Sequence, residues 1–94
     1  MEKVIDFEIV SDYTIRIVFD DRTEQTINFE PVLYGYYYEP LRDLALFNQV
    51  KLGDTHTLVW PNDADFNPAT LHQWHKGKGA ALAKWLREEA PQAE

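Results

Sequence analysis

The segment Val59-Trp60-Pro61-Asn62-Asp63-Ala64-Asp65-Phe66-Asn67-Pro68 constrains the fold most, because it compresses a strand end, a turn and a helix start into one short run. Pro61 lacks an amide donor and so ends the strand that runs through Trp60. Asn67 suits a helix cap, and Pro68 suits the first helical position, where a missing N–H costs nothing. Asp63 and Asp65 can bond backbone donors within the turn between them. Trp60, Pro61, Asn62, Asp65, Asn67 and Pro68 therefore read as a structural motif that marks a fold and no reaction.

The chain before this block predicts strands. Lys3 to Val10 alternates Ile5, Phe7 and Ile9 with Asp6 and Glu8, the pattern of a strand with one buried face. Tyr13 to Phe19 sets Tyr13, Ile15, Ile17 and Phe19 on one side and Thr14, Arg16 and Val18 on the other. Asp20-Asp21-Arg22-Thr23 then turns the chain into Glu24–Phe29, where Ile27 and Phe29 face inward and Glu24, Thr26 and Asn28 face water. From Val32 to Pro40, prolines bracket a glycine within a run of tyrosines, which predicts a loop with one short helical turn before it. Leu41–Phe47 reads as a short helix with Asp43 at its cap, and Gln49–Leu52 and Thr57–Trp60 as a second hairpin around Gly53-Asp54-Thr55-His56.

After Pro68, Leu71, Trp74 and His75 share a helix face; Lys76-Gly77-Lys78-Gly79 interrupts it, and a helix from Ala80 to Ala90 follows, closed by Pro91. Leu82, Trp85 and Leu86 form its narrow apolar stripe. The expected fold is α+β: a mainly antiparallel sheet of about five strands, made of a three-strand meander and a second hairpin, with short helices and a C-terminal helix. Residues 1–76 form the core domain in this reading, and residues 77–94 a helical extension.

With 94 residues the chain fits a single core, enriched by three Trp, five Tyr and five Phe. It has no cysteine, which removes disulfides and thiolate metal sites. No basic leader or bilayer-length apolar run is visible, so a cytoplasmic location is expected, without membrane insertion. The net charge of −7 argues against direct nucleic-acid binding, which needs clustered Lys and Arg, and favours a basic partner. A solubilising role explains the same charge more simply.

Chemistry-bearing residues are sparse. Asp63, Asp65, His72 and His75 combine carboxylate oxygen and imidazole nitrogen within one turn–helix unit, the composition of a metal or small-ligand site, although their spacing suits a capped turn and surface histidines better. Asp20, Asp21 and Glu24, or Glu39 and Asp43, pair carboxylates in turns where little burial would shift their pKa values. Ser11 is the only serine and has no glycine-rich elbow around it. No catalytic residue and no cofactor is expected. The remaining signal is aromatic: Tyr34, Tyr36, Tyr37 and Tyr38 cannot all point inward from one loop, and tyrosine is enriched at interfaces. Trp85 joins them as an interaction candidate on a helix too short to stand alone in water.

Three ordered blocks carry a resemblance: the opening strand pair with Phe19-Asp20-Asp21; Tyr38-Glu39-Pro40-Leu41-Arg42-Asp43 with Phe47 and Val50; and Val59-Trp60-Pro61-Asn62 through Ala64-Asp65 to Leu71. Over roughly residues 3–72 the chain resembles the bacterial domain of unknown function 2442, typified by the N-terminal domain of a Nitrosomonas protein. The resemblance implies a compact α+β fold and no chemistry. It also implies a partner, since such proteins tend to be encoded beside another small protein in a two-gene pair. Family members usually place glycine where this chain has Arg22 and Asp63, positions that often need positive φ, so the first hairpin is expected to use a longer loop. Some relatives carry a helix-turn-helix after this domain, but residues 73–94 hold one clear helix, too little for a DNA-reading unit.

The functional expectation is a non-enzymatic protein–protein interaction module, with self-association as a further option. Two alternatives come from other classes: a small-ligand or metal-binding domain, and an acidic nucleic-acid mimic that blocks a basic protein groove.

Overall fold

The computed structural model describes residues 2–88, so Ala90 and Pro91, where the last helix was expected to end, lie outside the described residues. Three strands form an antiparallel meander: β1 (Val4–Ser11), β2 (Thr14–Phe19) and β3 (Glu24–Asn28). A second, two-stranded sheet pairs β4 (Lys51–Leu52) with β5 (Leu58–Val59). The expected hairpin is present but shorter at both strands. The backbone N–H of Val4 donates to His56 O at 2.9 Å and ties the turn of this hairpin to the meander.

Ile5 corrects the simple alternation read for β1. Val4 pairs with Phe19 and Asp6 with Val18, so Ile5 is an extra residue that bulges out of register. The bulge sends Val4 into the core with no exposure and leaves Ile5 47% exposed. Beyond it, Phe7 opposite Ile17 and Ile9 opposite Ile15 return to the inner face. In β3 the alternation holds, with Ile27 buried between exposed Thr26 and Asn28.

Helices cover the inner face. A 3-10 turn at Glu30–Val32 leads into α1 (Gly35–Tyr38), and a further 3-10 turn at Glu39–Arg42 leads into α2 (Leu44–Phe47). The tyrosine run, expected as a loop, is thus helical. Gly35 makes this possible by starting α1 at φ 87°, a value that costs other residues about 1–2 kcal/mol. As expected, Asp43 caps α2 by accepting from Ala45 N at 3.0 Å. Asn67 likewise caps α3 (Pro68–His72) through Ala69 N at 2.8 Å.

A 3-10 turn at Trp74–Lys76 ends on Gly77 at φ 107°, and α4 (Lys78–Glu88) begins at once. Gly79, expected to interrupt, lies inside α4 and packs so closely on the Trp74 indole that a Cβ there would collide with it. Ala83 and Leu86 bury α4 against the same core that holds Phe19, Phe29, Phe47, Trp60 and Leu71. At the centre, Phe29 packs on Phe47, Trp60, Phe66 and Trp74 with ring centroids 5.0–6.2 Å apart. No helix among the described residues is long and apolar enough to cross a membrane.

Candidate functional site

The structural motif of the sequence turns out to support the tyrosine helix. Trp60 N donates to Ala64 O at 2.9 Å, and Asp63 N donates back to Trp60 O at 3.0 Å, closing the turn with Asp63 at φ 70°. The buried Trp60 indole N–H donates to Phe47 O at 2.8 Å and anchors the turn in the core. Asn62 Nδ2 then donates to Tyr37 O at 2.9 Å, and Tyr38 Oη donates to Asp65 O at 2.6 Å. Both bonds hold α1 against the turn.

Held this way, the tyrosines divide. Tyr38 is half-buried, its ring stacked on Phe66 at 4.6 Å with planes 7° apart. Burial, with a smaller contribution from the Asp65 charge, pushes its phenol up to about 12. Tyr34 is also half-buried, with the Arg42 guanidinium 4.6 Å over its ring, and Arg42 Nε is fixed by Leu33 O at 2.7 Å. Tyr36 and Tyr37 stand outward at 66% and 55% exposure, edge to face at 5.0 Å.

Across from α1 lies α4. Trp85, 48% exposed, and the buried Leu86 face Tyr34, Gly35, Tyr36, Tyr37 and Tyr38 across an apolar groove of about 270 Å³. All five aromatic residues singled out from the sequence therefore line one groove, although Trp85 is far from the tyrosines along the chain. Sequence reasoning missed Arg42, which fixes Tyr34; an arginine at the start of an expected short helix gives no signal that it will lie over a ring. The wall supplied by Leu86 was legible as part of the apolar stripe of α4.

The metal-ligating candidates separate instead. His72 Nε2 meets Asp21 Oδ2 at 2.7 Å and Thr23 Oγ1 at 3.2 Å, while His75 Nε2 meets Thr26 O at 3.0 Å. Asp65 belongs to the turn, bridged to Val59. Among the described residues, no group of three or more His, Asp or Glu side chains could hold a metal ion.

The Asp21–Thr23–His72 trio was not foreseen, because the residues meet across the sheet–helix junction. Hydrogen bonds from the Thr23 hydroxyl and backbone N–H, followed by the His72 contact, hold the Asp21 carboxyl down at about 2. A proton relay would need the carboxylate and the hydroxyl on opposite ring nitrogens. Here both meet Nε2, and Nδ1 is buried without a partner. The trio fastens the β2–β3 turn to α3.

On the outer face of the meander, Arg16 lies between Glu8 and Glu24 at 3.1 Å from each, so the carboxylates there do not form an uninterrupted acidic row.

No curated protein and no solved structure matches this chain. The likeness to the Nitrosomonas domain accordingly rests on sequence resemblance alone. The sequence model of a family described as protein of unknown function (DUF2442) matches residues 4–77, from the first residue of β1 to the glycine before α4. The match spans well over half of the residues, and the chain belongs to the DUF2442 family.

Proposed function

We propose that this protein is a non-enzymatic interaction module that docks another protein on the groove between α1 and α4. The observation that carries the reading is the convergence of Tyr36, Tyr37 and Trp85, all about half exposed or more, on one apolar groove. Large aromatic side chains with polar tips, held on short rigid elements, are the composition of interface hot spots. Docking would cover apolar area that water now meets, at about 25 cal/mol per Å² before the costs of association.

The net charge of −7 favours a basic partner, and a small protein encoded alongside this one in the cytoplasm is the partner that the family resemblance suggests. The test is capture of the tagged protein from the cells that encode it, beside a Tyr36→Ala, Tyr37→Ala variant. A stoichiometric partner retained by the variant would count against the groove. The separation of Asp63, Asp65, His72 and His75 and the Glu8–Arg16–Glu24 alternation give no comparable support to ligand binding or nucleic-acid mimicry.

A further inference from the structure

Of the three tryptophans, Trp74 is the one that is buried with its indole N–H unsatisfied. The Trp60 N–H donates to Phe47 O, and Trp85 is half exposed to solvent. Trp74 is only 9% exposed and its ring is wedged against Phe29 and Phe66, yet its N–H donates to no protein group among the described residues. A buried indole N–H ordinarily has a partner, so this one calls for an acceptor from outside the fold.

There is room for one. Trp74 lines a cavity of about 350 Å³ between the 3-10 turn at Glu30–Val32 and α4. That volume falls within the range of about 300–1,000 Å³ common to small-molecule sites. Gly79 lines the same cavity, and the indole nitrogen is the atom nearest to where a Gly79 Cβ would stand. The glycine therefore keeps that nitrogen uncovered.

The other polar groups bordering the cavity are also donors. Gly79 and Ala80 belong to the first turn of the eleven-residue α4, where amide N–H groups have no acceptor inside the helix and carry the positive end of its dipole. Arg87 lies about two turns further along the same helix face, and helical side chains lean back toward the N-terminus. It makes no ion pair among the described residues, although exposed Glu88 follows it and exposed Glu30 begins the facing turn. Asn28 Oδ1 accepts from Glu30 N at 3.0 Å, which leaves the Asn28 Nδ2 donors free. Arg87 is the one charged side chain among the described residues that line the cavity, so its lining is positive within a chain of net charge −7.

Donors without acceptors, one of them a guanidinium, select an anion, and a planar carboxylate matches the fork of Arg87. Pro31, Val32 and Ala83 supply apolar walls that a bare phosphate would leave uncovered. We infer that the cavity binds a small organic carboxylate, with its oxygens on Arg87 and the Trp74 indole N–H and its apolar body against Pro31, Val32 and Ala83. The site shares no lining residue with the α1–α4 groove, and it stands or falls independently of docking there.

The test is titration of the ¹⁵N-labelled full chain with sodium benzoate at pH 7 and constant ionic strength, read on the three indole N–H resonances. The expected result is a saturable shift of the Trp74 indole, with the Gly79 and Ala80 amides following, while the Trp60 and Trp85 indoles stay in place. Neutral benzamide, of the same shape, should bind at least about tenfold more weakly. Arg87→Gln, at an exposed position, should weaken benzoate by a similar factor, with an unmoved Trp60 indole reporting an intact core. No saturable shift at tens of millimolar benzoate would assign the indole N–H to water and overturn the inference. Equal binding of benzamide, unchanged affinity in Arg87→Gln, tighter binding of inorganic phosphate, or shifts confined to Trp85 would each overturn it as well.

Discussion

The Tyr38 ring lies flat on Phe66, with centroids 4.6 Å apart and planes 7° from parallel, and its hydroxyl reaches past Phe66 to donate to Asp65 O at 2.6 Å. One side chain thereby fastens the tyrosine helix to the turn that follows Trp60. The groove wall depends on this contact, because α1 is too short to be stable alone. Tyr38→Phe should lose the hydrogen bond at a cost of about 1 kcal/mol, and Tyr38→Ala should cost about 2–3 kcal/mol as the stacking is lost too. Chemical denaturation measures both. Because folding raises the Tyr38 phenol, the stabilisation from its neutral form is complete below pH 10.0 and is lost as pH rises toward about 12. Tyr38→Phe should remove that alkaline dependence.

Asp21 gives the opposite dependence. Thr23 first and His72 second hold its carboxyl at about 2 against an ordinary 3.8, so its contribution is complete above 3.8 and is lost as pH falls toward about 2. Asp21→Asn should flatten the acid limb of a stability–pH curve in that window. An unchanged limb would mean that the trio does not hold in solution.

Gly79→Ala separates two effects of opposite sign. Helix propensity alone predicts a gain of about 1 kcal/mol within α4. The Cβ, however, would run into the Trp74 indole, and overpacking of this kind costs about 1–3 kcal/mol. A lower denaturation midpoint is expected, and a higher one would show that α4 can shift off Trp74.

Arg22 stands at φ 73° in the β2–β3 turn. Phe19 N donates to Thr23 O and Arg22 N to Phe19 O, both at 2.9 Å, and close the turn with Arg22 itself taking the left-handed conformation where the resemblance places a glycine. Arg22→Gly should therefore stabilise the protein by about 0.5–1 kcal/mol, the relief of strain less the added entropy of the unfolded chain. A loss of stability would show that the Arg22 side chain makes a compensating contribution.

These positions also show what the sequence makes legible. Strands β2 and β3 follow from alternation, and the caps at Asp43 and Asn67 from residue type, because both are local effects. Ile5 and the helical tyrosine run do not. The bulge is decided by whether Val4 or Ile5 enters a core assembled from distant residues, and α1 is stabilised by Asn62 and Asp65 reaching it from the later turn. Gly79 reads as a breaker until Trp74 is seen to need the space. For the groove, the tyrosines and Trp85 are each legible as interaction candidates, but their meeting depends on how α4 docks through Ala83 and Leu86. The Asp21–His72 contact bridges residues far apart in sequence and has no local signature.

The central claim is that a protein partner occupies the groove between α1 and α4, and site-specific photo-cross-linking in the encoding cells tests it most directly. p-Benzoylphenylalanine would replace Tyr36, Tyr37 or Trp85 in the groove and, as controls, the exposed Val10 and Leu52 outside it. The account predicts one cross-linked protein common to the three groove positions and absent from Val10 and Leu52. Cross-links confined to Val10 or Leu52, or spread evenly over all five positions, would contradict it.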